Sequence, residues 1–177
     1  MKSITATPNT FAAQRIKSTI PDITLLPEFQ TWQQLSVTHS QTDSGWFSSV
    51  GPLFNYDLNV FDRFTHDFAI LNQHFHGTYM ETVIDAVKAQ AVIDNVNIGR
   101  IRFMYLQPKT CYTLHRDVEE FRYHIPIDTN PRCFFVNADK IERMVTVGRL
   151  YRFKTNEMHT AVNASDQTRI HLVFDTY

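Results

Sequence analysis

The sequence predicts an α+β protein that carries its chemistry on the β part, and three observations point there. Apolar residues recur at helical spacing in the first half of the chain. From residue 98 onward the pattern becomes short runs rich in β-branched and aromatic residues. Brief polar segments of turn composition separate those runs. About eight short strands so connected suit a barrel or jelly roll, with helices from the first half covering one outer face.

Taken in order, the first 55 residues carry a short helical segment, "PEFQTWQQL", and a loop with an aromatic tip, "TDSGWFSSVGP", which holds Trp46. In "NVFDRFTHDFAILNQHF" the residues Phe61, Phe64, Phe68, Leu71 and Phe75 follow steps of 3, 4, 3 and 4, which places them on one helix face. Met80, Val83, Ile84 and Val87 form a second such stripe in "GTYMETVIDAVKAQ". The strands are "IGRIRFMYL", "CYTLH", "FRYHIPI", "RCFFVN", "KIERMVT", "RLYRFKT", "MHTAVN" and "TRIHLVFDTY". Only five glycines and seven prolines occur, and neither a repeat nor a linker-like run divides the chain. Residues 1–177 are therefore expected to form a single domain, with 1–97 a mostly helical region packed on a β core of 98–177.

Composition narrows the function. The chain has 177 residues, enough to bury a substantial core, and 43% hydrophobic with 20% charged residues is a globular balance. A formal charge of −1 gives no global field that would draw nucleic acid or an anionic membrane surface. No stretch approaches the ~18 apolar residues that cross a bilayer, and the first residues lack the apolar core of a signal peptide. Cys111 and Cys133 are too few for a disulfide scaffold and suit reduced thiols, so a soluble cytoplasmic protein is expected. The oligomeric state is not legible at this level.

The segment "TLHRDVEEFRYHIPI" concentrates polar, reactive side chains in a strand pattern. Residues two apart in an extended strand project the same way, so His115 and Asp117 present an imidazole and a carboxylate together. That pair forms two thirds of a 2-His-1-carboxylate iron site, although an isolated HxD is more often a solvated turn. His159 lies 42 residues beyond Asp117 on a later strand, and Arg169 follows ten residues after that. An arginine directed into a barrel calls for an anion, and its planar fork suits a carboxylate. Arg122 and His124 share one face of "FRYHIPI", opposite Phe121, Tyr123, Ile125 and Ile127. His171 shares the parity of Arg169, with contact to a ligand and a structural hydrogen bond both open. His74 and His76 stand two apart on a segment read as helix, where they do not face each other. Arg100 and Arg102 are expected at a solvated strand edge, and Phe134, Phe135, Tyr151 and Phe153 in the core or in a dry lining.

The order HxD, distal His, then Arg resembles the Fe(II)/2-oxoglutarate-dependent oxygenases. The segments "RFMYLQPKTCYTLHRD", "FRYHIPI", "VGRLYRFKTNEMHTAVN" and "RIHLVFD" are similar, in order, to the core of the aspartyl/asparaginyl β-hydroxylase family. The resemblance covers residues 98–177. It implies a double-stranded β-helix (a jelly-roll, cupin-like core) with His115, Asp117 and His159 as catalytic iron ligands. It further implies Arg169 on the distal carboxylate of 2-oxoglutarate, and Arg122 and His124 on the carboxylate beside the keto group. Fe(II), 2-oxoglutarate and O₂ would serve hydroxylation of an unactivated C–H bond, with release of succinate and CO₂. The chain keeps Asp117, which some relatives replace by glycine, and departs from larger animal relatives in carrying Met104 where they have a hydroxyl side chain. Without the membrane segment of lipid-modifying relatives, the expected substrate is a free amino acid or a residue in a peptide or protein. Two other readings stand beside this one. A metal-dependent cupin enzyme of another kind explains the histidines but leaves Arg169 and Arg122 without an anion, and a non-catalytic jelly-roll module makes the triad accidental.

Overall fold

This computed structural model describes residues 2–55, 60, 61, 63–138 and 140–177. The first half contains β1 (Ile4–Thr10), α1 (Ala13–Lys17), α2 (Pro27–Trp32), β2 (Gln34–Ser36), β3 (Thr38–His39), β4 (Phe54–Asn55), β5 (Val60–Phe61), β6 (Ile70–Leu71) and α3 (Tyr79–Ile93). The second half contains β7 (Ile98–Leu106), β8 (Thr110–Cys111), β9 (Phe121–Asp128), β10 (Cys133–Asn137) and β11 (Lys140–Glu142). It closes with β12 (Arg149–Lys154), β13 (His159–Asn163) and β14 (Arg169–Thr176). All eight expected strands are present, although "CYTLH" and "KIERMVT" pair over shorter stretches than their composition suggests. Two compact units divide the chain: one runs to Ser18 and resumes over Met104–Val173, the other comprises Thr19–Phe103 and Phe174–Tyr177.

Within the first unit, one antiparallel sheet carries β1-β12-β9-β14 in order, continued by the Met104–Leu106 end of β7, and the other follows β11-β10-β13-β8. Their facing side chains make one cluster. Ile4, Leu106, Tyr151 and Phe153 come from the first sheet and Phe135 and Ala161 from the second, with Met144 among them and Tyr112 packed against the group. Burial of a Phe of this kind contributes about 1.5–3 kcal/mol relative to exposure. This is a two-sheet jelly roll, as the strand pattern predicts. β1 has no counterpart in the sequence reading, because Pro8 interrupts its alternation. It occupies a sheet edge and pairs Ile4 with Phe153 and Thr10 with Arg149 around an irregular register, the setting in which a strand tolerates proline. The turn before β12 needs Gly148: φ is +77°, and an added Cβ would stand 2.1 Å from the Phe11 carbonyl oxygen.

In the second unit, α3 forms as its stripe predicts. The Thr78 hydroxyl accepts from the Met80 N–H, and Met80, Val83, Ile84 and Val87 are buried. The phenylalanine stripe before it does not form a helix. Over its described residues it breaks into β5, a 3-10 turn at Thr65–Asp67, β6 and a second 3-10 turn at Gln73–Phe75. The reason is local competition for N–H groups. The Asp67 carboxylate takes the Phe64 N–H at 2.9 Å and the Asn72 side-chain oxygen takes the His74 N–H at 3.1 Å, so each starts a fresh turn with an N–H that a continuous helix would send four residues back. Pairing of β6 with β3 then satisfies the segment from a distance. Among the described residues of the first 97 the structure is thus mixed, with α-helix in α1, α2 and α3 between short strands and 3-10 turns, in place of the mostly helical region expected. Trp46 is half-buried, edge-on to His74 at 5.1 Å and to Phe75 at 6.0 Å, so its loop is anchored.

Arg100 and Arg102 also depart from expectation. Each is only 2% exposed, and both reach the same oxygen of Asp175, at 2.7 and 2.9 Å. The Arg100 guanidinium also donates to the carbonyls of Ser49 and Gly51. A solvated strand edge is the wrong setting for them, because β7 has a strand on each side and is buried on both faces. Among the described residues no helix is long and apolar enough to cross a membrane, and both cysteines are free thiols.

Removal of one member of a buried ion cluster leaves charge uncompensated. Asp175→Asn is expected to lower the unfolding free energy by about 3–5 kcal/mol in urea titration, and a loss under ~1 kcal/mol would mean that water screens the cluster.

Candidate metal centre

The site is built on one backbone contact. His115, four residues past the end of β8, forms an isolated antiparallel bridge with His159, the first residue of β13. The His115 N–H donates to the His159 carbonyl at 3.0 Å and the His159 N–H returns the bond at 2.7 Å. Directly opposed residues project to the same face, so the two rings meet with centroids 4.5 Å apart. The Asp117 N–H donates to the Thr155 carbonyl at 2.8 Å and brings its carboxylate to the same place. One Asp117 oxygen lies 3.8 Å from His115 Nε2 and the other 3.6 Å from His159 Nε2. One donor atom from each of the three residues lies within 4.8 Å of the others.

The donor atoms suit a metal. His115 Nδ1 lies 2.7 Å from the Thr113 carbonyl and His159 Nδ1 2.8 Å from the Glu157 carbonyl. A carbonyl only accepts, so each Nδ1 carries the proton and each Nε2 of the neutral ring presents a lone pair to the shared point. Burial lowers the His159 pKa below its ordinary 6.5, against the pull of the Glu157 carbonyl and Asp117, which favours the neutral, ligating form. Asp117 Oδ2 is buried and accepts no hydrogen bond of good geometry, although Arg122 Nη1 stands 2.8 Å away. The other arm of Arg122 reaches Glu119 at 3.3 Å. Two carboxylates therefore meet one guanidinium, an imbalance that a divalent cation at the three ligand atoms reverses.

Arg169 opens β14 and is 2% exposed, with its Cζ 5.1 Å from the centre of the Phe135 ring. Its Nε and Nη1 have no hydrogen-bond partner, and burial pulls its pKa down. Two N–H groups of a buried guanidinium without an acceptor fit a ligand carboxylate. His124 and His171 are buried together, their Nδ1 atoms 3.4 Å apart, and His124 packs edge-on to Phe135 and Phe153. The expected residues thus fall into three groups: the triad His115, Asp117 and His159; Arg122 on Asp117; and Arg169 with His124 and His171 around Phe135.

Sequence reasoning missed Tyr112, which packs on the core and whose hydroxyl donates to the Tyr105 carbonyl at 3.2 Å. Burial raises its pKa, with Arg169 opposing. The reason is a register slip. Cys111 pairs with Val162 but His115 pairs with His159, so four residues on one side span three on the other. One extra residue reverses the facing of everything beyond it, and strict alternation cannot see that.

The family described as Aspartyl/Asparaginyl beta-hydroxylase matches residues 18–177. Among solved structures, AviO1 from Streptomyces viridochromogenes Tue57 is 13% identical, covers 98% of this chain and 89% of its own, and has a TM-score of 0.53. An oxidoreductase of the 2OG-Fe(II) oxygenase family from Burkholderia pseudomallei is 14% identical over 65% of this chain and 64% of its own, with a TM-score of 0.51. The plu4264 protein from Photorhabdus luminescens is 17% identical over 43% of this chain and 60% of its own, with a TM-score of 0.37. The chain spans less than two thirds of the length of the last two. At such identities the likeness is one of fold. No curated protein matches the chain in sequence.

Burial together with Arg169 and His124 holds the His171 pKa well below 6.5, so the folded protein keeps this ring neutral where the unfolded chain protonates it. The stability that follows is present above pH 6.5 and declines as pH falls below it, by about 1.4 kcal/mol per unit for one such group. His171→Gln is expected to flatten the decline in urea unfolding between pH 7.5 and 5.5; an unchanged slope would remove His171 as its source.

Proposed function

Because the chain belongs to the aspartyl/asparaginyl β-hydroxylase family, we propose that it is an Fe(II)- and 2-oxoglutarate-dependent hydroxylase of an amino acid or of a residue in a peptide. The observation that carries this reading is the pairing of a 2-His-1-carboxylate triad with a buried arginine whose N–H groups lack an acceptor. Iron and 2-oxoglutarate, when bound, supply the oxidative chemistry, with release of succinate and CO₂ and insertion of one oxygen atom into a C–H bond.

The chain's own residues set the conditions for that chemistry. His115 and His159 offer Nε2 lone pairs whose direction the Thr113 and Glu157 carbonyls hold. Asp117 would complete a set of three protein ligands to the iron and would leave room there for cosubstrate and oxygen. Arg122 holds the Asp117 carboxylate against Glu119 and, with His124, occupies the positions that the family pattern assigns to the carboxylate beside the keto group. Arg169 supplies a charged fork for the distal carboxylate at a depth where charge-assisted bonds are strong. Phe135, Tyr151 and Phe153 exclude water from the space between the sheets. A metal-dependent cupin of another kind would use the same triad but would leave Arg169 without its anion.

Anaerobic addition of Fe(II) and 2-oxoglutarate is expected to give a weak metal-to-ligand charge-transfer band in the visible, and its absence with the triad intact would defeat this reading. Arg169→Ala should leave iron binding intact and raise the 2-oxoglutarate requirement by about 10–100-fold, the worth of a lost charge-assisted hydrogen bond. His159→Ala should lose iron and succinate formation together. An unchanged cosubstrate requirement in Arg169→Ala would remove that residue from its role.

A further inference from the structure

Arg169 and His171 stand two apart on β14 and share a face. Both lie against Phe135, the guanidinium carbon 5.1 Å and the imidazole centre 6.1 Å from that ring's centre. Arg169 Nε, Arg169 Nη1 and His171 Nε2 are all buried without a hydrogen-bond partner. Three orphaned polar atoms on two residues of one strand face, both against the same ring, have a common cause more readily than three separate ones.

The tautomer of His171 supplies that cause. Its Nδ1 faces His124 Nδ1 at 3.4 Å, and between two neutral rings one nitrogen must carry the proton and the other the lone pair. Were His171 the donor, its Nε2 would hold a buried lone pair that no described donor meets and that a carboxylate ligand could not satisfy. With His124 as the donor, His171 Nε2 carries the proton, and the three orphans are all donors. Like groups cannot satisfy one another, and together they complement an anion with two oxygens.

We propose that His171 is a third donor, beside Arg169, to the distal carboxylate of 2-oxoglutarate, and that His124 is the positioning residue that fixes His171 as its Nε2–H tautomer. This rests on the reading of the chain as a 2-oxoglutarate enzyme. Its burial and the adjacent Arg169 keep the ring neutral, so it acts as a dipole and not as a second charge. A consequence follows for His124. With its Nδ1–H donated in a hydrogen bond to His171, the neutral His124 ring has its lone pair at Nε2 and cannot donate there. The carboxylate beside the keto group is then left to Arg122.

The test uses the full chain loaded with Mn(II) and held under anaerobic conditions, with 2-oxoglutarate and 2-oxobutanoate (which lacks the distal carboxylate) as probes. His171→Phe keeps an aromatic ring and removes the donor. Calorimetry is expected to show about 10–100-fold weaker 2-oxoglutarate binding, unchanged Mn(II) affinity and little change for 2-oxobutanoate. Nitrogen-15 NMR of the unaltered protein, labelled on histidine, should find His171 protonated at Nε2, with that signal shifted when 2-oxoglutarate is added. The NMR result stands alone should the variant not fold. Equal affinity in His171→Phe, or a proton at His171 Nδ1 in the 2-oxoglutarate complex, would overturn the role of His171 and leave the cosubstrate reading in place. Failure of the unaltered, Mn(II)-loaded protein to bind 2-oxoglutarate would overturn that reading and this inference with it.

Discussion

Two hydrogen bonds between the backbones of His115 and His159 determine what this site can be, because they turn two distant residues into directly opposed partners. Opposed residues share a face, so the bridge delivers both rings to one point without any contact between the side chains themselves. The carbonyls of Thr113 and Glu157 then select the tautomer and with it the nitrogen that points inward. Asp117 is brought in by its own bond to Thr155. Backbone geometry therefore does most of the placement, and the ligand set inherits the rigidity of the sheet that carries β13.

Electrostatics separate two kinds of buried arginine in this chain. Arg100 and Arg102 converge on Asp175, and Arg100 takes two carbonyls besides, so their cost of burial is offset within the protein. Arg169 is as deeply buried, yet among the described residues no carboxylate pairs with it, and its neighbours are Phe135 and Tyr112. The same residue type is thus paired with an acid in one place and left without an anion in the other. What distinguishes them is whether the chain itself supplies the anion. Arg122 lies between these cases, since it pairs with Glu119 and with Asp117, a member of the candidate triad.

Much of this was legible beforehand where the signal is local. Ile98–Leu106 appears as a strand over the run its composition marks, and the Met80, Val83, Ile84 and Val87 stripe becomes α3 with its Thr78 cap. The triad residues were legible because HxD, a later histidine and an arginine ten residues on form an ordered pattern of chemically matched types. The phenylalanine stripe misled because its spacing is helical while Asp67 and Asn72 take N–H groups that a continuous helix would send to carbonyls four residues back. β1 escaped notice because a strand holding Pro8 is stable only at a sheet edge, and an edge exists only once the sheet does.

From its sequence alone, then, the protein had a determined order of strands, a candidate ligand set and an arginine in need of an anion, because residue type and short-range periodicity are properties of the chain itself. The tertiary structure decided which residues face one another. The slip between Cys111 and His115 turned Tyr112 onto the core, the Asp175 carboxylate claimed Arg100 and Arg102, and the His124–His171 contact set two tautomers against each other. Each depends on a partner more than 40 residues away in the chain, and a facing so determined has no local trace.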